Sequence, residues 1–351
     1  MAFKLKMAIA LILAIFVLTD REGHALESPK PSRQIVDMAG RTATVPLEVR
    51  SIGILGSTPI LYSALEILGA SHAIANRPNA FHDLDGRWRA HKIFAPNLAS
   101  APYFRNDNSE LSLENILLAK PDLCLTMTPA YVETLEKLGV PCVFVNWATV
   151  SDMKRAIRLI AVLVGQPEKA ERYLAYYDSQ LAQATNATSS IAADKRRKTL
   201  YVFPRLFLVP ENPTETLLKA AGANSVTRAA SISGRVAYGL EEILAWNPEI
   251  IFMTTQRELK NFKNNSLFQN LTAIKNDQIV LVPTFAHFWS GHTVEAPLAV
   301  EWFIHKLYPE LLSREALAAE TRSFYRNFFG TTLNDGLIEM IIDGGWDSLR
   351  P

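Results

Sequence analysis

One internal repeat constrains this chain more than any other feature. Residues 113–128 read LENILLAKPDLCLTMT and residues 240–255 read LEEILAWNPEIIFMTT, aligned without a gap at an offset of 127. Leu113, Glu114, Ile116, Leu117, Pro121 and Thr128 are matched identically by Leu240, Glu241, Ile243, Leu244, Pro248 and Thr255, while Asp122 pairs with Glu249 and Leu123 with Ile250. In both copies the apolar residues recur at i, i+3 and i+4, the spacing of one helix face. A proline then stops the helix. The short apolar run that follows suits a strand buried on both faces of a parallel sheet.

The similarity extends outward. Upstream of the first copy, 51–55 is a strand candidate and 59–68 a helix stopping at Gly69; upstream of the second, 199–203 is a strand and 214–221 a helix stopping at Gly222. Downstream come helix 131–138, Gly139 and strand 142–146 in the first unit, and segment 267–274 with strand 278–282 in the second. Alternating strands and helices predict parallel α/β units, and two such units in tandem predict two similar lobes. Between them, 150–193 is strongly helical, and Pro167 suits the first turn of a new helix free of Gly and Pro. A helix over 167–185 would be about 28 Å long and would join the lobes stiffly. The expected organisation is a leader over 1–25, a first lobe over 26–165, a linking helix over 166–195 and a second lobe over 196–351.

The units differ in one place. Gly69 and Glu114 are 45 residues apart, Gly222 and Glu241 only 19, so the first lobe carries 26 extra residues. They fall within 77–108, which holds His82, Trp88, His91, Tyr103 and several arginines. A loop of that length in a compact domain is usually functional or disordered.

Residues 1–25 read as an address. Lys4 and Lys6 precede an unbroken apolar run over 7–18, too short for the roughly 20 residues a membrane-spanning helix needs. Gly23 and Ala25 occupy the small-residue positions of a secretory cleavage site, so the expected cut follows Ala25. No cysteine lies nearby to carry a lipid, and the expected location is the periplasm of a Gram-negative cell. The remaining chain holds 33 basic and 33 acidic residues, a balance that gives no support to nucleic-acid binding. Two cysteines exclude a disulfide scaffold and a cysteine-based zinc site. Cys124 and Cys142 fall in consecutive strand candidates, where bonds across parallel strands are awkward, so both are expected as buried free thiols.

Taken in order, these segments resemble the periplasmic substrate-binding proteins of ABC importers for iron–siderophore complexes, haem, cobalamin and related metal compounds. Residues 35–46, IVDMAGRTATVP, are similar to that family's opening hairpin; 113–125 and 240–252 to its paired helix–Pro–strand segments; 279–302 to its strand, Trp-containing loop and final-helix start. Tyr308–Pro309 and residues 325–330 resemble the tail of a subgroup that binds metal chelates or metal oxyanions. The resemblance implies two Rossmann-like lobes with parallel sheets bridged by a single long α-helix, a ligand held between lobes that move little, and delivery to a membrane permease. It also implies a docking glutamate on each lobe; the matching positions are Glu114 and Glu241, with Glu242 a competitor for the second. These acids also suit the positive end of a helix dipole. No intrinsic cofactor is implied, and the partners are a small metal chelate and the permease, with the protein acting as a monomer.

Ligands of open α/β sheets bind beyond the carboxyl ends of the strands. That rule selects Ser57 and Thr58, which could donate to an anion or simply cap a helix; Arg77, Trp88, Tyr103 and Arg105 in the insertion; Tyr131 and Trp147; Arg205 and Tyr238; and the segment FAHFWSGHTVE over 285–295, with His287, Trp289 and His292. Arg87 and Arg235 are further cations near these loops. Arginine suits carboxylate, catecholate or oxyanion oxygens, tyrosine can stack on a ligand or bind iron, and Trp289 suits a cleft wall. His287 or His292 could complete the coordination of an incoming metal, although a spacing of five implies no preformed pair. The leading ligand is an iron–siderophore complex; haem, cobalamin, a nickel or cobalt chelate and molybdate stay open. An enzyme is disfavoured because the chain has no Gly-x-Ser-x-Gly elbow, no His-Glu-x-x-His and no phosphate-binding glycine loop. A sensor or scaffold built on the same fold is a third reading.

Overall fold

The computed structural model describes residues 31–56, 59–78, 84–106, 110–202, 208–209, 213–229 and 236–348. The expected leader, and with it Ser57, Thr58, His82, Arg205 and Arg235, lies outside the described residues. The chain opens with an antiparallel hairpin of β1 (Ser32–Val36) and β2 (Thr42–Pro46). Asp37 closes its turn by accepting the amides of Ala39 and Arg41.

The first lobe holds β3 (Ile52–Leu55), α1 (Ile60–Ile67), α2 (His91–Phe94), α3 (Leu113–Ala119), β4 (Leu123–Thr126), α4 (Pro129–Lys137), β5 (Cys142–Phe144) and α5 (Val150–Leu163). Its strands run parallel in the order β3-β4-β5, and Ile74 bridges to the free side of β3 at Ile52. The linking helix α6 spans Pro167–Thr188. The second lobe holds β6 (Lys198–Val202), β7 (Leu208–Val209), α7 (Pro213–Ala220), β8 (Asn224–Ser225), α8 (Val226–Ala229), β9 (Val236–Ala237), α9 (Leu240–Trp246), β10 (Ile250–Met253), α10 (Gln256–Asn264), α11 (Thr272–Lys275) and β11 (Ile279–Leu281). Its main sheet is parallel in the order β11-β10-β6-β8. The three final helices are α12 (Ala296–Leu307), α13 (Arg314–Phe328) and α14 (Asp335–Ile342).

The repeat holds down to single hydrogen bonds. Both α3 and α9 end on a left-handed residue, Lys120 at φ 45° and Asn247 at φ 43°. The matched acids do the same work: the Asp122 carboxylate accepts the Ser51 amide at 3.0 Å, and that of Glu249 accepts the Lys198 amide at 3.3 Å, each at the start of the neighbouring strand. Ile116 and Ile243 are both completely buried. The flanking leucines depart from the expected apolar face, because Leu113, Leu117 and Leu244 are exposed. A two-turn helix touches its sheet along one short line, where the central isoleucine is the fully buried residue and Ala119, Leu240 and Trp246 pack partly buried beside it.

Two further differences concern the second lobe. Segment 267–274 is broken into a short 3₁₀ turn and α11 rather than one helix. A longer helix, α10, precedes it; Thr255 starts it by accepting the Glu258 amide, and its hydroxyl bonds the Glu258 carboxylate. This Thr-x-x-Glu box is a helix-start signal legible in the sequence. The cysteines sit opposite each other in register on β4 and β5 as free, fully buried thiols. Burial pushes both up, Cys142 to about 12, which leaves them unreactive as nucleophiles.

Helix α6 is 22 residues long, roughly 33 Å at the usual rise. It buries Ala170, Tyr173, Leu174, Tyr177, Gln180, Ala184 and Thr188, a stripe at three- and four-residue spacings. This stripe packs against α12, α5 and α7. Where α6 meets the final helices, Tyr176 donates to Glu320 at 2.6 Å, and Glu301 of α12 lies against the same carboxylate. Burial, and then the Glu320 charge, raise Glu301 to about 8. The folded chain therefore keeps a proton that the unfolded chain releases near 4.5, and this group disfavours folding increasingly as pH rises through that window. Glu301→Gln removes the penalty. Urea unfolding should show the variant on the order of 1 kcal/mol or more stabler than its parent at pH 8.5, and equal to it near pH 4.5.

Candidate ligand cleft between the lobes

The loops that leave the carboxyl ends of the strands meet where the lobes join. Trp147 follows β5, His292 follows β11, and they exchange two hydrogen bonds: the Trp147 indole donates to the His292 carbonyl at 2.8 Å, and His292 Nε2 donates to the Trp147 carbonyl at 2.7 Å. Burial lowers the His292 pKa below its ordinary value, which favours the neutral ring. With the proton on Nε2, the lone pair sits on Nδ1, which is buried and has no partner among the described residues.

The insertion forms a second junction. Trp88 stacks on His91 at 6.4 Å, tilts against His287 at 5.1 Å and meets Phe288 edge-on at 5.4 Å. The Arg87 guanidinium lies over Phe288, and that of Arg89 lies 3.7 Å from the Trp346 ring centre. Phe94 packs on Phe285, Tyr325 and Phe329. Much of the expected loop is therefore core that joins the first lobe to the C-terminal helices. His91 Nδ1 contacts Glu66 at 2.7 Å with both side chains fully buried, a pair that the spacing of 25 residues hides in the sequence.

Two cation–tyrosine pairs stay partly accessible. Arg77 lies 5.0 Å from the Tyr103 ring centre and donates to the carbonyls of Leu98 and Ala99. Arg105 lies 5.9 Å from the Tyr131 ring and donates to the Gly56 carbonyl at 3.0 Å, beside the loop that leaves β3. The structure thus pairs Arg77 with Tyr103 and Arg105 with Tyr131 on the first lobe. It separates the others. Trp289 is 0% exposed within the core, which corrects its expected place on an open wall. Tyr238 is buried against Trp246 at 5.2 Å, and Trp88 and Trp147 are buried in the junctions just described. His287 accepts the Phe288 amide on Nδ1, so its lone pair is committed locally. Among the described residues, no group of three or more His, Cys, Asp or Glu side chains is placed to hold a metal.

Sequence reasoning missed Glu295. It directly precedes α12 and is fully buried. Its carboxylate accepts the amides of Ala286 and His287 and the Tyr325 hydroxyl. Burial raises it to about 7, against the opposing pull of these donors. A glutamate at the first position before an Ala-Pro helix start was its only visible signal. On the outer surface, Glu114 and Glu241 are both exposed in the first turns of α3 and α9. Glu242 instead accepts the Gly239 amide at 2.8 Å at the start of α9, which distinguishes it from Glu241.

Two parallel α/β lobes joined by one long helix, with cationic and aromatic loops gathered at the junction, define a bilobed solute-binding protein. The chain belongs to the periplasmic binding protein family, whose sequence profile matches residues 85–284. It is 23% identical over 253 residues to the molybdate-binding protein MolA of Haemophilus influenzae, covering 64% of this chain and 72% of that one. It is 23% identical over 185 residues to an iron-uptake system-binding protein of Bacillus subtilis, covering 49% and 58%. Among solved structures, a periplasmic solute-binding protein from Veillonella parvula superposes with a TM-score of 0.76 at 21% identity over 91% of this chain and 99% of that one. MolA bound to molybdate superposes with 0.74 at 21% identity over 86% and 99%. No helix of the described residues is long and apolar enough to cross a membrane.

The Trp147–His292 exchange is open to a direct test. Trp147→Phe removes one donor while keeping most of the packing, and should lower unfolding free energy by about 1 kcal/mol. A double-mutant cycle with His292→Ala should show coupling of about 0.5 kcal/mol or more, because the two residues share the junction.

Proposed function

We propose that this protein is an exported solute-binding protein that captures an anionic metal compound between its lobes and delivers it to the permease of an ABC importer. The observation that carries this reading is the pair of arginine–tyrosine sites, Arg77 with Tyr103 and Arg105 with Tyr131, on first-lobe loops at the strand ends. A guanidinium seated over a tyrosine ring presents donors suited to the oxygens of an anion. Family membership and the expected leader support a periplasmic location and a transport role.

An iron–siderophore complex is the ligand suggested by the resemblance. A compact oxyanion such as molybdate is the second reading, and two observations favour it. MolA is similar in both sequence and structure over most of the chain. Trp88, Trp147 and Trp289 are also spent inside the protein, leaving Tyr103 and Tyr131 as the exposed or half-buried aromatics among the candidates. A bulky chelate binds best against accessible apolar walls.

Delivery is assigned to Glu114 and Glu241, exposed carboxylates at matching places on both lobes that suit two equivalent cationic sites on a dimeric permease.

Isothermal titration of the purified protein with molybdate, a ferric hydroxamate siderophore and cobalamin tests the reading. Molybdate should bind with micromolar or tighter affinity, and Arg77→Ala or Arg105→Ala should weaken it at least about tenfold, the scale of one charged hydrogen bond. Binding of the siderophore alone would return the ligand to the iron reading, and binding of none would remove the metal assignment. Glu114→Ala with Glu241→Ala should leave the affinity unchanged and abolish cellular uptake of the bound compound.

A further inference from the structure

The segment that closes the second lobe's side of the junction, residues 285–292, is held in an unusual way. Both oxygens of one buried carboxylate grip consecutive loop amides: Glu295 accepts Ala286 at 3.2 Å through Oε1 and His287 through Oε2. Oε1 also takes the Tyr325 hydroxyl. Tyr325 is itself immobilised by Phe285 at 5.1 Å, Phe329 at 5.2 Å and the stacked ring of Phe94 at 6.0 Å. All three groups donate to Glu295, and two of them are backbone amides that can do nothing else. An amide side chain offers one acceptor oxygen, so it would leave an amide of Ala286 or His287 facing another N–H. Sequestering a carboxylate from water is costly, and a full set of directed donors is the arrangement that makes it tolerable and rigid. The far end of the same loop is tied to the first lobe by His292 and Trp147, and its middle by Trp88 against His287.

We propose that Glu295 is the positioning residue of the cleft: its carboxylate sets the backbone of residues 285–292 and so places Phe288, Gly291 and His292, the half-buried residues of that segment, at the lobe junction. The inference rests on the reading of the lobe junction as the ligand site. Glu295 does not touch the ligand; it acts through the loop.

Hydrogen–deuterium exchange and titration with molybdate, run on the full mature chain, test it together. Glu295→Gln should speed exchange across 285–292 by at least about tenfold, leave β10 and β11 unchanged, and weaken molybdate binding by about tenfold. Tyr325→Phe removes a donor but leaves both acceptor oxygens on the two amides, so it should loosen the loop and weaken binding less than Glu295→Gln does. Unchanged loop exchange in Glu295→Gln overturns the proposal. So does a loosened loop with unchanged affinity, or acceleration spread evenly over the whole chain. If Glu295→Gln does not fold, Glu295→Asp, which keeps the charge but shortens the reach, must loosen the same loop selectively. A Tyr325→Phe loop as loose as that of the Glu295 variant also overturns it, because the hydroxyl and not the amide grip would then be the cause. Should the wild type bind neither molybdate nor the siderophore, the ligand reading fails by itself, while the exchange arm still decides whether Glu295 holds the loop.

Discussion

The packing of the linking helix against α12 is the interaction on which the rest of the molecule depends. Tyr173, fully buried on α6, donates to the Val294 carbonyl at 2.9 Å, one residue before Glu295. That bond fixes where α12 begins, and therefore where the loop from β11 must end. With that point set, Trp147 of the first lobe reaches His292. A helix is well suited to this role because its backbone bonds are internal, so its length is stiff and its sides remain free to pack.

The insertion acts as a second tie, remote in sequence from the first. Its Trp88, Arg89 and Phe94 pack on the loop after β11 and on the C-terminal helices, so one continuous apolar core runs through the first lobe, the linking helix and α12–α14. A separate core, built around Leu200, Ile251 and Phe268, occupies the outer half of the second lobe. Lobes sharing a large apolar contact move less than lobes joined by a polar hinge. The chain thus resembles a hinge that has been packed on two sides. Burial of the insertion's aromatics in that contact is also what removes them from the wall available to a ligand.

Buried ionisable groups concentrate at these ties. Glu66 with His91, Glu295 with Tyr325, and Glu301 with Glu320 and Tyr176 each sit where elements from different parts of the chain converge. Directional bonds select one arrangement where apolar packing alone would tolerate several. The cost appears as raised carboxyl pKa values at Glu295 and Glu301.

The amino-acid sequence by itself determined the two-lobed parallel architecture, the linking helix and the equivalence of α3–β4 with α9–β10. Each of these rests on local periodicity, on proline and glycine stops, or on self-similarity, all of which act between residues close in the chain or are copied along it. Free thiols at Cys124 and Cys142 were likewise legible, because consecutive parallel strands limit how sulfurs can approach. Only the tertiary structure decided that Trp88, Trp147, Trp289 and Tyr238 are packing residues, that Glu242 is committed to a cap while Glu241 is not, and that Glu295 grips a loop nine residues upstream. Whether an aromatic ring or a carboxylate faces solvent or core depends on contacts between segments as far apart as Trp88 and His287, and no spacing along the chain encodes which distant surface will arrive to cover it.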